Sequence, residues 1–268
     1  MGKAELASEI TLSVVSHGHG IHLHRLLDDL AGLNSLSGVL VIVTLNIPEK
    51  LDVSRWPALQ LLVISNAQSR GFGANHNSAF RHCTTSWFVV LNPDLRLPED
   101  PFPELLKIAK TSPKTAAVAP IIIDSCGFPE DSVRENLTPL SLTRRTLKRI
   151  SGHKRLSGLD LKDVGDQFFW LAGMFLLFDA AAYRAVAGFD ERFFLYCEDY
   201  DVCARLYRAG YQLRQVQTAQ AIHEAQRDSQ KSIKHLRWHA VSLLRVWTSG
   251  TFWWTLHQRM KRRTLASD

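Results

Sequence analysis

The stretch WFVVLNPDLRLP, residues Trp87 to Pro98, is apolar for five residues and then enters a polar turn, Asn92-Pro93-Asp94. Its bulky and β-branched side chains predict a buried strand, and the turn then places Asp94 at the carboxyl end of that strand. In open α/β sheets, ligands bind in the crevice beyond such strand ends. An ordinary Asn-Pro-Asp turn has the same sequence, so this motif alone does not establish a binding site.

Further strand-like runs on both sides of this stretch predict a mostly parallel sheet. They are rich in Val, Ile and Leu and alternate with segments of helical periodicity, which is the pattern of βαβ units. The predicted strands are Ile10 to Ser16, Val39 to Thr44, Leu59 to Ser65, Ser86 to Leu91 and Ala116 to Ile123, and the predicted helices are Leu23 to Ala31, Gly73 to His82 and Pro103 to Lys110. We therefore predict an α/β fold in which a Rossmann-like sheet is flanked by helices.

The second half of the chain is less regular, because periodicity is lost from Asp124 to Asp166. Beyond that segment we predict a strand, two helices and a short final strand. Their predicted positions are Phe168 to Phe178, around Ala180 to Ala187, Asp199 to Ala209, and a strand end near His223.

A second acidic site lies in the run from Trp170 to Tyr211, where carboxylates occur among residues that otherwise resemble a core. These are Asp190, Glu198, Asp199 and Asp201. Carboxylates in apolar surroundings are costly unless the protein uses them. A helix N-terminus is the alternative explanation, since the helix dipole favours acids in a first turn.

Taken together and in order, these motifs resemble the family 2 glycosyltransferases of the GT-A fold, and most of all the bacterial rhamnosyltransferases of O-antigen and cell-wall assembly. The resemblance covers about residues 10 to 245. The matching motifs are Ser16-His17-Gly18-His19, Arg70-Gly71-Phe72-Gly73 with Asn75 and Asn77, Asn92-Pro93-Asp94, Trp170-Leu171-Ala172-Gly173, Gly188-Phe189-Asp190-Glu191, Glu198-Asp199-Tyr200-Asp201 and Ile222-His223.

The resemblance implies a GT-A domain over residues 1–228. Its first part, residues 1–123, would bind the nucleotide sugar, and residues 124–228 would form the acceptor and catalytic half. Asp199 matches the catalytic base of the family, and Glu198 would orient the site. An aspartate is ionised at neutral pH and can accept the proton of an attacking hydroxyl. Trp170, Ala172 and Gly173 match the motif on the acceptor side.

The resemblance also implies a divalent metal, Mg²⁺ or Mn²⁺, held by Asp94 and His223. Hard cations favour carboxylate oxygens and substrate phosphates, while histidine favours Mn²⁺ over Mg²⁺. In the family this position belongs to an Asp-x-Asp pattern, and here Asn92 replaces the first aspartate. Only one carboxylate is left, so metal binding is expected to depend on the bound nucleotide.

The donor is expected to bind along the first half of the chain. The predicted nucleotide-sugar-binding residues are Ser16, His17, Gly18, Asn46, Arg70, Gly71, Phe72, Asn77, Asn92 and Asp94. Leu45 occupies a position at which relatives usually carry an acid for the nucleobase. This departure leaves the choice among dTDP, UDP and GDP open.

The C-terminal segment, residues 229–268, carries the positive excess of the chain. Between Ser229 and Ser267 there are eight Lys or Arg residues and no acid, and four of the seven tryptophans also lie there. Basic amphipathic helices with tryptophan are typical of proteins at anionic membrane surfaces. We therefore predict a basic helical extension that associates with the membrane, the alternative being a helix docked on the core. Nucleic acid is a disfavoured partner, because the acidic clusters would repel phosphates.

A second basic segment, Leu142 to Gly158, has six basic residues and no acid. A solvated basic face is its default explanation. The sharper hypothesis is that it approaches the diphosphate of a lipid-linked acceptor or the lipid headgroups.

The expected activity is therefore an inverting transfer of L-rhamnose from dTDP-rhamnose to an undecaprenyl-diphosphate-linked saccharide, in O-antigen or cell-surface polysaccharide synthesis. The N-terminal residues do not resemble a secretory signal, and no apolar run is long enough to span a membrane. We expect a cytoplasmic protein, peripheral on the inner face of the cell membrane. The alternatives are a nucleotidyltransferase and a catalytically degenerate module that binds nucleotide sugars, the latter favoured by Asn92 and Leu45.

Overall fold

The computed structural model describes residues 3–150, 168–224 and 233–265. The strands are β1 Ile10–Ser16, β2 Leu40–Leu45, β3 Gln60–Ser65, β4 Trp87–Leu91, β5 Leu95–Arg96, β6 Thr115–Asp124, β7 Val133–Glu135, β8 Phe169–Leu171, β9 Phe175–Asp179 and β10 Gln212–His223. The α-helices are α1 Lys3–Glu9, α2 Ile21–Gly32, α3 Phe72–Phe80, α4 Phe102–Ala109, α5 Pro139–Ile150, α6 Ala180–Ala185, α7 Glu198–Arg208, α8 Ile233–Trp247 and α9 Gly250–Leu265. Several basic side chains of the two basic segments lie outside the description: Lys148, Arg149, Lys154, Arg155, Lys231, Arg259, Lys261, Arg262 and Arg263.

In the described part of the chain, eight strands form one sheet in the order β3-β2-β1-β4-β9-β6-β10-β5. Strands β1 to β4 are parallel, and β10 is parallel to β6. Strand β9 runs antiparallel between β4 and β6, and β5 is antiparallel to β10. The strands β7 and β8 form a separate small antiparallel sheet. The predicted α/β fold with a mostly parallel sheet is thus confirmed.

The predicted strands of the first half lie within one residue of the observed ones at each end, and the helices within two. The reason is visible in β4, whose successive side chains alternate between two cores. Val89 and Leu91 pack into the core on one face, and Phe88 and Val90 pack into the core on the other. A strand that is buried on both faces reads as a continuous apolar run, which makes it easy to recognise.

The predicted single strand from Phe168 to Phe178 is wrong, because the chain forms β8 and β9 with a turn at Ala172-Gly173-Met174 between them. Strand β8 pairs with β7 outside the main sheet, while β9 enters the main sheet. The turn residues make contacts elsewhere: Ala172 N donates to Ser132 O at 2.8 Å, and Met174 O accepts from Asn92 N at 2.8 Å. A continuous apolar sequence conceals this division, since both strands are buried.

The C-terminal helices contact the second half of the domain. Val246 of α8 and Phe252 of α9 are buried in the same core as Phe88. Trp247 Nε1 donates to Leu137 O at 2.8 Å, and Thr255 Oγ1 lies 3.1 Å from Asn136 Nδ2. Among the described residues, no helix is long and apolar enough to cross a membrane.

Candidate active site

The first part of the site is an ion-pair chain at the carboxyl ends of β4 and β10. His223 Nε2 lies 3.3 Å from Asp94 Oδ1, and His223 Nδ1 lies 2.8 Å from Glu130 Oε2. The antiparallel pairing of His223 with Leu95 brings the two strand ends together. Glu224 N also donates to Asp94 O at 2.9 Å, which fixes the backbone on both sides.

The contacts among Asp94, His223 and Glu130 favour a charged imidazole next to charged carboxylates. Burial disfavours a charged His223, but its contacts with Asp94 and Glu130 outweigh burial and raise the pKa to about 9. Burial likewise opposes ionisation of Asp94, and the contact with His223 overcomes it, so the pKa of Asp94 is lowered. At neutral pH the imidazole of His223 is therefore cationic and lies between Asp94 and Glu130.

The residues present fit a divalent cation that also contacts the substrate. Oδ1 of Asp94 is buried, and beyond its ion pair with His223 it accepts no hydrogen bond of good geometry among the described residues, so it can accept a further ligand. Its distance of 3.3 Å from His223 Nε2 suits two atoms that bind one ion. No cluster of three or more His, Cys, Asp or Glu residues with suitable geometry occurs in residues 3–150, 168–224 or 233–265. The protein would then supply two ligands, and substrate phosphates and water the rest.

The second part of the site is the start of α7. Tyr196 and Cys197, which directly precede Glu198 and Asp199, have φ angles of 71° and 64°. Residues other than glycine rarely adopt this left-handed region. This turn brings Asp199 against the β8–β9 turn, where Asp199 Oδ2 accepts from Gly173 N at 2.9 Å. Oδ1 accepts from Tyr200 N at 2.9 Å. Asp199 is partly exposed, whereas Glu198 is buried.

These two neighbouring acids have different environments. Burial and the charge of Asp199 raise the pKa of Glu198 well above its ordinary value, and its Oε2 has no hydrogen-bond partner among the described residues. Burial also raises the pKa of Asp199, although Arg134 and the backbone amides of Gly173 and Tyr200 oppose that rise. Asp199 has more donors that favour an ionised carboxylate than Glu198, so the two environments favour the charge on Asp199.

The structure connects the two parts through the β8–β9 turn. Met174 O accepts from Asn92 N, and the adjacent Gly173 N donates to Asp199. Asn92, two residues before Asp94, and Asp199 therefore contact adjacent residues of the same turn. The other acids of the second run have different partners: Asp201 binds Arg205 at 2.6 Å, and Asp190 binds Arg192 at 2.6 Å.

Trp170 and Ala172, which were predicted to contact the acceptor, are buried. Trp170 Nε1 donates to Glu135 O at 2.8 Å, and the guanidinium of Arg134 lies 4.9 Å from the centre of the indole ring. The ring is therefore covered by protein rather than open to a sugar. Gly173 leaves space beside Asp199, because a Cβ there would lie 3.4 Å from Asp199 Cβ.

The loop after β1 lies against a carboxylate that the sequence did not indicate. Ser16 Oγ donates to Glu49 Oε2 at 2.5 Å, and Gly20 N donates to Glu49 Oε1 at 2.8 Å. Gly18 has φ 76°, which glycine adopts without strain. Burial lowers the pKa of His19, and the carboxylates of Asp94 and Glu49 partly oppose that effect. Because Asp94 acts on His19 in this way, the loop after β1 and Asp94 lie near each other.

Asn46 and Arg70 are linked through the backbone. Asn46 Oδ1 accepts from Arg70 N at 2.8 Å, and Asn46 Nδ2 donates to Arg70 O at 2.9 Å and lies 3.1 Å from His17 Nδ1. Leu45 is buried at the end of β2. Asn46 therefore positions the start of the Arg70 segment, and its amide has little capacity left for a nucleobase.

The glycines of the Arg70 motif allow α3 to pack on the segment before α7. A Cβ on Gly71 would lie 2.9 Å from Phe193 O, and one on Gly73 would lie 2.5 Å from Phe189 Cβ. Phe72 N donates to Phe194 O at 2.9 Å, so that amide is already used.

Asn77 is bound to the same segment and not to the crevice. Its side chain donates to Phe189 O at 2.8 Å and accepts from Tyr183 Oη at 2.7 Å. These contacts support a structural role for Asn77 instead of the predicted contact with the donor.

Sequence reasoning did not identify four side chains of the site: Glu49, Glu130, Asp131 and Arg134. Glu130, Asp131 and Arg134 come from the segment without periodicity, and Glu49 from a loop, so no local pattern indicated them. One signal in the sequence pointed to Glu130 indirectly. A buried histidine that binds through one ring nitrogen needs a partner, often a carboxylate, for the other nitrogen.

Comparison with known proteins defines the class to which this site belongs. The chain matches the Glycosyl transferase family group 2 over residues 87–266, and it belongs to that family. The solved mannosyltransferase PcManGT from Pyrobaculum calidifontis, in complex with GDP-Man and Mn²⁺, has a TM-score of 0.58 and 16% identity. The match covers 82% of this chain but 58% of that one, less than two thirds of its length. The protein is thus a glycosyltransferase with a GT-A-like fold.

Two curated relatives are more similar in sequence. Rhamnosyltransferase WbbL of Escherichia coli (strain K12) is 26% identical over 249 residues, which are 88% of this chain and 91% of that protein. N-acetylglucosaminyl-diphospho-decaprenol L-rhamnosyltransferase of Mycobacterium tuberculosis (strain ATCC 25618 / H37Rv) is 29% identical over 253 residues, which are 84% of this chain and 79% of that protein.

Proposed function

We propose that this glycosyltransferase transfers L-rhamnose from dTDP-rhamnose to a lipid-linked saccharide, with inversion at the anomeric carbon. The observation that carries the mechanism is the position of Asp199, which accepts from Gly173 N next to the contact between Met174 and Asn92 of the Asn92-Pro93-Asp94 turn. The names of the two curated relatives support rhamnose as the sugar and a lipid diphosphate as the carrier of the acceptor.

Asp199 acts as the base in this proposal. Its carboxylate accepts the proton of the acceptor hydroxyl while that oxygen bonds to the anomeric carbon. The bond from the anomeric carbon to the diphosphate oxygen breaks, and dTDP leaves from the opposite face. Glu198 stays protonated beneath Asp199 and lowers the cost of a second buried charge.

Asp94 and His223 are the residues that would hold a divalent cation. When bound, it would neutralise charge on the leaving diphosphate. His223 must lose its proton to bind a cation, because only a neutral imidazole nitrogen is a ligand. Glu130 then orients the imidazole through Nδ1, as carboxylates do for metal-binding histidines.

For the donor, we propose contacts from Ser16, His17, Gly18, Arg70, Phe72, Asn92 and Asp94 along the carboxyl ends of the strands. The loop of Ser16 to His19 and the turn at Asp94 lie on the same side of the sheet, as the coupling between His19 and Asp94 indicates. Strand ends of this kind form the ligand crevice of α/β sheets.

We also propose that residues 229–268 form a membrane-associating extension that holds the enzyme on an anionic surface near a lipid-linked acceptor. Exposed apolar side chains on α8 and α9 support this role, and they are Leu236, Val241, Leu244 and Trp253. Lys234 and Arg237 lie among them and are exposed. Anionic lipids attract such a surface by about 1 kcal/mol for each nearby Lys or Arg.

The function is tested by product analysis with purified protein. dTDP-rhamnose and a panel of dTDP-, UDP- and GDP-sugars are incubated with a lipid-diphosphate-N-acetylglucosamine acceptor and Mg²⁺, Mn²⁺ or EDTA. We expect metal-stimulated release of dTDP with extension of the lipid by one rhamnose. Transfer from another sugar alone would refute the donor assignment. Release of inorganic diphosphate from dTTP and a sugar phosphate would instead indicate a nucleotidyltransferase, and binding without turnover would indicate a degenerate module.

A further inference from the structure

Two arginines beside the catalytic aspartate share one carboxylate. Arg145 Nη2 lies 2.7 Å from Asp131 Oδ2, and Arg134 Nε lies 3.4 Å from the same oxygen. Asp131 is the one carboxylate in contact with the pair among the described residues, and the charge of Asp199 acts on both guanidinium groups from further away. Burial and the nearby Arg134 both lower the pKa of Arg145, which indicates that the two cations are held close together.

The Arg134 guanidinium is fixed in direction. Its Nε donates to Asp131 O at 2.8 Å, and its Cζ lies over the Trp170 ring, 4.9 Å from the ring centre. Trp170 is in turn fixed by its hydrogen bond to Glu135 O. The terminal nitrogens of Arg134 have no hydrogen-bond acceptor among the described residues, and the side chain is 26% exposed. A stacked guanidinium with free terminal donors is suited to a phosphate group.

The arginine pair lies on the acceptor side of Asp199. Strands β7 and β8 pair Arg134 with Trp170, and Ala172 N donates to Ser132 O two residues before Arg134. The next residue, Gly173, holds Asp199. The charge of Arg134 opposes the burial that raises the pKa of Asp199, and Asp199 in turn stabilises a charged Arg145.

Helix α5 connects this pair with the outer surface. Arg145 points inward to Asp131, while Leu140, Arg144 and Leu147 of the same helix are exposed. Leu140 and Leu147 are more than 60% exposed. One helix therefore presents a cation to the site and apolar side chains to the outside. This arrangement suits a carrier lipid, whose diphosphate is anionic and whose chain is apolar.

We propose that Arg134 and Arg145 bind the diphosphate of the lipid-linked acceptor and thereby hold its sugar within reach of Asp199. This inference rests on the proposed function. The donor also contains a diphosphate, for which Asp94 and His223 are the residues proposed above to hold a cation.

The test measures binding in the absence of turnover. The probes are N-acetylglucosamine diphosphate with a short alkyl chain, the same molecule with a neutral linker in place of the diphosphate, and dTDP. Calorimetry is performed on the wild type, Arg134→Gln, Arg145→Gln and the control Arg144→Gln, which removes the same charge from the exposed side of α5. We expect each of the first two variants to bind the diphosphate probe at least tenfold more weakly, with dTDP affinity within twofold of wild type.

Unchanged affinity for the diphosphate probe in Arg134→Gln and Arg145→Gln would overturn the inference, and so would an equal loss of dTDP affinity, which would assign the pair to the donor. If Arg144→Gln loses as much affinity for the diphosphate probe as the other two variants, the loss reflects general surface charge and the inference is also overturned. If a Gln variant unfolds, Arg145→Lys keeps the charge and is expected to retain diphosphate binding to within about threefold. Because no sugar transfer is measured, failure of the rhamnose assignment leaves this result interpretable.

Discussion

At the scale of single residues, the site depends on which of two adjacent acids is ionised. Asp199 has two backbone N–H donors and the nearby Arg134, whereas Glu198 is buried with an oxygen that lacks a partner among the described residues. Burial raises the pKa of both carboxyls, and the donors around Asp199 oppose that rise more than those of Glu198, which favours the charge on Asp199. This division makes Asp199 the group that can accept a proton.

Replacing Asp199 by Asn should abolish transfer and leave donor binding nearly intact, because the amide keeps the shape of the side chain but cannot take the proton. Loss of a general base typically costs a factor of about 10² to 10⁴ in rate. The measurement is the turnover rate together with dTDP affinity by calorimetry. Asp201→Asn is the matched control, since Asp201 is paired with Arg205. If dTDP affinity falls as far as the rate, Asp199 is not the base.

His76 should make the fold sensitive to acid. It is buried, its Nδ1 lies 2.8 Å from Ser13 Oγ, and burial lowers its pKa to about 3. An unfolded histidine has a pKa of about 6.5, so between these values the unfolded state binds a proton that the folded state excludes. The free energy of unfolding should therefore fall as pH falls below about 6.5, by about 2 kcal/mol between pH 6.5 and 4.5 from this residue alone.

Guanidinium chloride unfolding of the wild type and of His76→Gln at pH 6.5 and 4.5 tests this effect. The variant is less stable at pH 6.5 but should lose about 2 kcal/mol less on acidification than the wild type. An identical loss in both proteins would show that His76 is not buried in its neutral form.

At the scale of elements, the site is assembled by close contacts between α3 and the segment that leads into α7. Gly73 lies against Phe189, and Phe72 N donates to Phe194 O. The segment ends in the left-handed Tyr196 and Cys197, a conformation that costs of order 1–3 kcal/mol for each residue. Packing against α3 offsets that cost and so fixes the direction of Asp199.

Replacing Gly73 by Ala should destabilise the protein by about 1–3 kcal/mol and lower activity, because the new methyl group would overlap the side chain of Phe189. The control is Gly32→Ala in α2, where no atom lies within 4 Å of the new Cβ. That change should be neutral or stabilising by up to about 1 kcal/mol. Thermal unfolding of both variants is the measurement, and equal stabilities would contradict the packing described here.

The elements that sequence predicted best are those whose signals are local. Strand β4 and its parallel neighbours are short, continuous apolar runs, which are typical of strands that are buried on both faces. The division between β8 and β9 could not be seen, because it depends on the hydrogen bond from Asn92 N to Met174 O and on pairing with distant strands. Helix α5 lies within the segment from Asp124 to Asp166, in which the sequence showed no regular periodicity.

The site shows the same division between local and distant signals. Asp94, Asp199 and His223 stand in short motifs that can be recognised in order along the chain. Glu130 and Arg134 act through residues far away in sequence, His223 and Trp170, and only the folded chain brings them together. Asn46 and Gly71 were expected at the nucleotide, and their contacts instead position other parts of the site.

At the scale of the whole molecule, exposed apolar and basic side chains of the C-terminal helices form the proposed membrane surface. Truncation within α9 is a poor test of this surface, because Phe252 and Thr255 are buried and their loss would open the core. Substitutions on the exposed side leave the packed side of the helices unchanged.

The double variant Leu236→Ser with Leu244→Ser should bind anionic vesicles at least tenfold more weakly than wild type, because burial of each leucine contributes about 1.5–3 kcal/mol. Cosedimentation with vesicles at low salt is the measurement. Ile21→Ser is the control, since Ile21 is also an exposed apolar residue but lies on α2. Equal losses in the control and the double variant would assign membrane binding to general hydrophobicity, and no loss would refute the surface.

The central claim is that one displacement, assisted by Asp199 as base, moves the sugar from the nucleotide to the acceptor. The anomeric configuration of the transferred sugar tests it most directly, and NMR of the isolated product determines that configuration. A single attack from the face opposite the diphosphate predicts a linkage of configuration opposite to that in the donor. A product that retains the configuration of the donor would contradict the mechanism, because it requires two displacements or attack from the same face.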